Sequence, residues 1–201
     1  DSYYFEIPTC VVEISKDQAE GFFTNVVEDV NDLLDRLLVS TTINETERFF
    51  LVGKLAENNP YANNHVGRMH DKVTSDIPYV TFLAGMIYQY KNSLPEVTKS
   101  NAIVIDNMKM MLPIWLLKKE GKFSIGQQKM AKRFTGEHSV KLLTPGMESE
   151  VKINVKQAKC YIESEVGRWS LKYKMLNDSE NNATIIEKRA EVKLFEDTEA
   201  V

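Results

Sequence analysis

The sequence of 201 residues is long enough for one large domain or two small ones, and it is 43% hydrophobic and 27% charged. This composition excludes an intrinsically disordered chain, and a chain of this length needs no disulfide or metal ion to stabilise its core. Residues 1–50 carry 11 acidic and 3 basic side chains, a net of −8, whereas residues 101–150 carry 5 and 8, a net of +3. Opposed charges of this kind favour self-association or a charged partner.

The first 40 residues contain the strongest helical pattern. Residues 3–14 are β-rich, and Pro8 places them at a sheet edge or divides them into two strands. Ser15 and Gln18 have the spacing of a capping box. Apolar residues then recur at intervals of three and four as far as Val39, which predicts one helix over about 15–39.

Two more helices are expected before residue 100. The second covers about 45–57, with its start capped in the segment from Asn44 to Glu47. An Asn-rich loop follows at 58–64, and the third helix begins near Ser75 and ends before Pro95. Helices joined by short polar loops pack as antiparallel neighbours.

The second half changes to strand-like patterns. Residues 102–117 are apolar, and strand and helix fit them equally well. A short basic helix is expected over about 124–134. Apolar and polar residues alternate over 151–156 and again over 169–174. A polar turn follows at 178–182, and an extended stretch covers 184–195. This pattern is typical of an antiparallel sheet with one solvent-exposed face.

These elements predict an α+β fold, with an N-terminal helical half of three helices packed against a C-terminal antiparallel β-meander. No Gly/Ser linker separates the halves, so we expect one domain over residues 1–201, with a change of character near residue 100.

Sequence signatures of catalysis and cofactor binding are absent. The sequence has no Walker-type or dinucleotide fingerprint, no Cys-x-x-Cys and no Gly-x-Ser-x-Gly motif. His65 and His70 are five residues apart, which does not suit one metal ion on a helix. We therefore expect no metal and no cofactor, and an enzyme would need a site assembled from dispersed residues.

A basic stretch from Lys109 to Arg133 interleaves cations with aromatic rings, as nucleic-acid-binding surfaces do. Lys-rich strands near residue 172 extend it. The candidate nucleic-acid-binding residues are Lys109, Trp115, Lys118, Lys119, Lys122, Phe123, Lys129, Lys132, Arg133, Lys172 and Lys174.

The first predicted helix has an apolar stripe wider than a two-helix seam requires. One flank of the stripe is therefore a candidate protein interface, consisting of Phe22, Val27, Leu34 and Leu38. Burial of the whole helix in its own domain is the alternative interpretation.

Cys10 and Cys160 stand alone in apolar stretches, which is typical of free thiols in a reducing, intracellular compartment. No apolar run reaches the length of a membrane span. No secretory signal is visible, but the sequence begins at Asp1, so a leader peptide that has been removed remains an alternative.

The leading functional hypothesis is a non-enzymatic binding or assembly protein that associates with itself or with a protein partner. A viral or phage structural or accessory protein, located in the virion, fits this profile. Nucleic-acid binding is the alternative, and an enzyme with a dispersed site is the third hypothesis.

Overall fold

The computed structural model describes residues 4–59, 72–93, 100–113, 116, 121–178 and 183–189. The chain forms two compact units. Unit 1 comprises Asp1–Met108 and Lys132–Ala158, and unit 2 comprises Lys109–Ala131 and Lys159–Val201. Whether the two units fold as one domain stays a prediction.

Unit 1 contains a mixed sheet of six strands. They are β1 (Val11–Ile14), β2 (Leu38–Ile43), β3 (Thr46–Val52), β4 (Ala102–Ile105), β6 (Gly136–Leu142) and β7 (Ser149–Val155). Their order across the sheet is β1-β3-β2-β6-β7-β4. The β4–β7 pair is parallel and the other pairs are antiparallel.

Helices cover both sides of this sheet. They are α1 (Lys16–Glu20), α2 (Val30–Leu33), α3 (Lys54–Glu57) and the long α4 (Ile77–Asn92). Helix α4 contacts β1, β3, β6 and β7, and it buries a stripe that includes Val80, Leu83 and Ile87. A second cluster of buried apolar side chains joins α1 and α3 to the strands. Its buried members are Cys10, Val12, Ala19, Leu38, Leu51 and Ala56, and the half-buried rings of Phe22, Phe23 and Phe49 pack against them.

Unit 2 contains smaller elements. Strands β5 (Met108–Leu112) and β8 (Ala158–Ile162) form one two-stranded sheet, and β9 (Tyr173–Asp178) and β10 (Ala183–Lys188) form an antiparallel hairpin. Its helices are α5 (Phe123–Phe134), whose last three residues belong to unit 1, and α6 (Glu163–Lys172).

Several local predictions are confirmed. Ser15 and Gln18 form the predicted capping box, and α4 and α5 lie where the third helix and the basic helix were expected. In β7 the side chains of Val151, Ile153 and Val155 are buried and those between them are exposed, as the alternation predicts. Each of these features depends on residues close together in the sequence.

The predicted fold class is wrong, because the N-terminal half is not a bundle of three helices. The expected helix over 15–39 ends at Gly21, resumes only at 30–33 and gives way to strand β2. Its apolar residues Ala19, Val27, Leu33, Leu37 and Leu38 are buried, but in short helices, loops and a strand rather than on one helix. Hydrophobic spacing therefore identified residues of the core without identifying their secondary structure.

The expected helix over 45–57 is also wrong, because β2 and β3 form a hairpin across this region. Its two turn residues, Asn44 and Glu45, both have positive φ angles, of 51° and 67°. This is the backbone of a type I′ turn, whose twist matches that of paired strands. Asn44 tolerates the left-handed conformation, and the same residue type also caps helices, which explains the misassignment.

The C-terminal β-meander is corrected in part. Residues 169–172 lie in α6 rather than in a strand, and the extended stretch expected from residue 184 is strand β10 as far as Lys188. Residues 179–182 of the expected polar turn and 190–195 of the expected stretch lie outside the described residues. The charges of α6 suit the helix dipole, because Glu163 and Glu165 lie in its first turn and Lys172 lies in its last. The short apolar–polar alternation over 169–174 led to a strand assignment instead.

We predict that Glu45→Gly increases the free energy of unfolding by about 0.5–1 kcal/mol, because glycine removes the strain of a left-handed non-glycine residue at a modest cost in unfolded-state entropy. Urea unfolding would measure the change. Glu45→Gln is the control, since it removes the charge and keeps the strain. Equal stabilities of the two variants would contradict the explanation.

Candidate functional site

A cleft of about 540 Å³ opens in unit 1 beside the edge of the six-stranded sheet. Its size falls within the range of small-molecule sites. Four neighbouring strands and α4 contribute the lining, which consists of Thr42, Tyr79, Ala102, Ile103, Val104, Glu137, His138, Ser139, Lys152, Ile153 and Asn154.

Strand register brings the polar lining residues together. Ser139 on β6 lies opposite Lys152 on β7, and Glu137 lies opposite Asn154. The parallel partner β4 places Ala102 beside Lys152, so small apolar and polar groups are mixed along the cleft. The lining thus contains one ammonium and one carboxylate group, with amide and hydroxyl groups between them.

His138 is buried at the wall of the cleft and makes two hydrogen bonds. Its Nε2 lies 2.7 Å from the carbonyl oxygen of Phe134, and its Nδ1 lies 2.8 Å from the hydroxyl of Tyr79. A carbonyl can only accept, so Nε2 carries the proton. In the neutral imidazole Nδ1 then accepts the Tyr79 proton, and the pair holds both rings in position.

A cluster of charges adjoins Tyr79. Asp76, at the N-cap of α4, accepts hydrogen bonds from Arg48 of β3 and from Arg133. Arg48 also donates two hydrogen bonds of 2.7 Å to Glu13 on β1. The Arg133 guanidinium lies 5.1 Å from the centre of the Tyr79 ring, within range of a cation–π interaction.

The pKa values in this region follow from burial and charge. Burial alone would raise the pKa of Asp76, but the hydrogen bonds and charges of Arg133 and Arg48 outweigh it and hold that pKa below its usual value. Burial raises the pKa of Tyr79, and the nearby Arg133 offsets only part of this effect. At neutral pH the site therefore contains an ionised Asp76 and a neutral Tyr79.

The thiols are not activated for nucleophilic chemistry. Cys10 and Cys160 are both free, as predicted. Burial, followed by the charge of Glu57, raises the pKa of Cys10, and burial with the charge of Glu163 raises that of Cys160 to about 11. Both thiols stay protonated at neutral pH, and protonated thiols are poor nucleophiles.

The described residues contain neither a cluster of metal ligands nor a membrane-spanning helix. No group of three or more His, Cys, Asp or Glu side chains there could hold a metal ion. No helix within the described ranges is long and apolar enough to cross a membrane.

The predicted nucleic-acid residues are divided between the two units, and three of them lie outside the described residues. Trp115, Lys118 and Lys119 lie outside the described residues, and Lys132 and Arg133 belong to unit 1. Arg133 is paired with Asp76, and Lys174 is paired with Glu187 at 3.2 Å. The remaining members are in unit 2 and comprise Lys109, Lys122, Phe123, Lys129 and Lys172.

The predicted protein interface rested on a helix that does not form. Val27 and Leu38 are buried in unit 1, so neither offers surface to a partner. Phe22 packs against the second core cluster of unit 1, and Leu34 is half-buried after α2. An interface at the latter two residues stays a prediction.

Sequence reasoning missed Asp76, Tyr79 and His138. Asp76 precedes a correctly predicted helix, but its side chain makes no capping hydrogen bond and binds Arg48 and Arg133 instead, so no local signal identifies it. Tyr79 and His138 are 59 residues apart and share no motif, and only the packing of α4 on β6 brings them together.

Comparison with solved structures identifies the fold as that of actin-like proteins. The chain is similar to the actin-like protein Alp7A, with 49% sequence identity and a TM-score of 0.76, over 96% of this chain and 46% of Alp7A. It is also similar, at 16% identity, to two structures of Bacillus thuringiensis ParM. The apo form matches with a TM-score of 0.55 over 90% of this chain, and the form with ATP matches with a TM-score of 0.54 over 92% of this chain. Each match covers 44% of the ParM chain. No family model and no curated protein matches the sequence.

These similarities correct the functional hypotheses. The match to Alp7A and ParM contradicts both the viral or phage assembly subunit and the nucleic-acid-binding protein, and the virion location falls with the first. The chain spans less than half the length of Alp7A and of these two ParM chains.

We predict that Asp76→Asn lowers the free energy of unfolding by about 2 kcal/mol at pH 7, because the half-buried guanidinium of Arg133 loses this carboxylate and that of Arg48 keeps only Glu13. The pKa of Asp76 is lower in the folded protein than in the unfolded chain, where it is about 3.9. Its contribution to the free energy of unfolding is therefore fully present above the pKa of the unfolded chain and is lost as the pH falls through the pKa of the folded protein. The variant should therefore lose stability less steeply in acid.

Urea unfolding between pH 2.5 and 7 would measure both effects. Asp35→Asn is the matched control, since Asp35 pairs at 3.1 Å with Lys54 and both side chains are more than half exposed. It should change stability by less than about 0.5 kcal/mol. An Asp76→Asn variant that behaves like this control would contradict the proposed role of the cluster.

We predict that Tyr79→Phe costs about 1–3 kcal/mol, because it leaves the buried Nδ1 of His138 without its donor. Tyr161→Phe, on an exposed ring in unit 2, is the control and should cost little. Nitrogen NMR of the imidazole should show the Nε2–H tautomer in the unchanged protein. The opposite tautomer would contradict the assigned hydrogen bonds.

Proposed function

We propose that this chain is part of an actin-like protein that self-associates into filaments and whose assembly depends on ATP. The observation that carries the proposal is the 49% identity to Alp7A, spread over 96% of this chain with a TM-score of 0.76. The similarity to ParM, at 16% identity or less, supports the fold alone.

ATP is proposed by analogy of fold only, since solved ParM structures of this fold are described with ATP, AMPPNP or ADP. A triphosphate needs several positive groups, exposed backbone N–H groups or a metal ion around it. The unit 1 cleft contributes one ammonium, from Lys152, and one carboxylate, from Glu137. We therefore do not assign the triphosphate to this cleft.

Self-association is supported by features of the chain itself. Its acidic first 50 residues and its basic segment over 101–150 carry opposite charge, which suits contacts between unlike surfaces of successive copies. Contacts between unlike surfaces generate open filaments when the rotation between copies does not close a ring.

Sedimentation velocity and light scattering of the chain would test the proposal, with Mg²⁺ and either ATP, AMPPNP or no nucleotide. We expect species well above the monomer mass of 23.0 kDa, and more of them with ATP or AMPPNP. Repetition at two salt concentrations separates specific assembly from charge-driven aggregation.

Two outcomes contradict different parts of the proposal. A monomer under every condition would contradict self-association. A discrete oligomer that is indifferent to nucleotide would retain self-association and exclude control by ATP.

A further inference from the structure

Strand β1 lies at one edge of the six-stranded sheet in unit 1. Among the described residues only β3 pairs with it, so no strand of that part of the chain covers its other side. Folded proteins usually protect such an edge with a proline, a lysine or a bulge. The β1 sequence, Val-Val-Glu-Ile, contains no proline or lysine, and it pairs with β3 in continuous register. The edge can therefore accept a further strand.

The hydrogen bonds of the ladder show which backbone groups of β1 point outward. The N–H of Gly53 donates at 2.9 Å to the carbonyl of Cys10, which lies opposite it in the β1–β3 register. Alternate residues of an antiparallel strand face the same neighbour, so the backbone of Val12 also faces β3. The N–H and C=O groups of Val11 and Glu13 then point away from β3, where they are available to another strand.

A groove of about 540 Å³ opens beside this edge, and we call it the β1 groove. Its apolar lining includes Ile14 of β1 and Phe22, both of which are half-buried against the second core cluster. Gln18 of α1 and Asn59, which follows α3, contribute amide side chains to the lining. The β1 groove thus places apolar surface and polar groups next to an open strand edge.

Carboxylates flank β1 at both ends. Asp17 lies in the first turn of α1, just after the strand. Burial and the charge of Glu57 together raise the pKa of Cys10, the residue before β1, so Glu57 lies near the other end. Both carboxylates are exposed, and neither makes a hydrogen bond or an ion pair within the described ranges. The Glu13 carboxylate, in contrast, is occupied by two hydrogen bonds of 2.7 Å from Arg48.

We propose that β1 and the β1 groove bind an extended segment of a partner protein, which adds to the sheet as a further strand. Main-chain hydrogen bonds to the outward groups of β1 supply affinity, and the side chains that alternate onto the groove supply specificity. These side chains are apolar at the centre, against Ile14 and Phe22. They are basic at the two ends, where they pair with Asp17 and Glu57.

Charge disfavours a second copy of the same edge as the occupant. Antiparallel pairing of two β1 strands brings Asp17 of one copy towards Glu57 of the other, and like charges repel. The partner is therefore a different, basic segment. The inference goes beyond the proposed function, because binding of such a segment requires neither nucleotide nor self-association.

The first test is hydrogen exchange of the 201-residue chain at low concentration. We expect the amides of Val11 and Glu13 to exchange about 100-fold faster than those of Val12 and Ile14, since only the latter are bonded to β3. Slow exchange of all four amides in the monomer would overturn the proposal, because the edge would already be covered. Protection that appears only as the chain concentration rises would overturn it in favour of a second copy.

The second test is titration calorimetry with the capped peptide acetyl-Lys-Thr-Val-Thr-Val-Thr-Lys-amide, which places its lysines and valines on one face. We expect saturable one-to-one binding. At a peptide concentration about ten times Kd, exchange of the Val11 and Glu13 amides should slow by about tenfold. The amides of Val12 and Ile14 should not change. No binding at peptide concentrations up to about 1 mM, which corresponds to a binding free energy weaker than about −4 kcal/mol, would overturn the proposal.

Modified peptides separate strand addition from non-specific attraction. Only alternate residues of an added strand face β1, so N-methylation of the valines and N-methylation of the threonines should differ, with one abolishing binding and the other preserving it. The peptide with glutamates in place of both lysines should bind about tenfold more weakly. Equal binding of the basic and acidic peptides, or of both methylated peptides, would contradict the assigned edge.

Variants then locate the contact. Asp17→Lys and Glu57→Lys should each weaken binding of the basic peptide about fivefold and strengthen binding of the acidic one. Asp32→Lys is the matched control, since Asp32 is also exposed in the first turn of a short helix but does not line the β1 groove, and it should leave both affinities unchanged. Equal effects of all three variants would overturn the assignment of the groove.

Discussion

The Asp76 carboxylate joins the start of α4 to the sheet of unit 1. It is the N-cap residue of that helix, and it binds Arg48 from β3 and Arg133 from a segment 57 residues further along the chain. A partly buried carboxylate between two guanidinium groups stabilises one geometry strongly, because loss of one partner leaves uncompensated charge. That geometry positions Tyr79 one turn into α4, against His138, and so forms one wall of the cleft.

Similarity to a solved structure and the geometry of the cleft support different conclusions. The 49% identity to Alp7A extends over nearly the whole chain and supports an actin-like function. The cleft mixes one ammonium, one carboxylate and several apolar groups, which suits a small amphipathic ligand better than a triphosphate. Fold and local site therefore have to be argued separately.

Stability is distributed unevenly between the two units. Unit 1 buries Val80, Leu83 and Ile87 of α4 against a six-stranded sheet. Unit 2 contains two-stranded sheets and a helix without buried side chains, and most of the exposed large apolar residues belong to it.

The sequence by itself determined the capping box at Ser15, helices α4 and α5, the alternation in β7 and the two free thiols, because these depend on neighbouring residues or on composition. Only the tertiary structure decided that residues 15–39 are loops, short helices and a strand. Hydrophobic spacing reports which side chains are buried, whereas the pairing of β2 with β3 through Asn44 and Glu45 decides in which element they are buried. The same applies to Asp76, Tyr79 and His138, since hydrogen bonds between distant residues leave no local pattern.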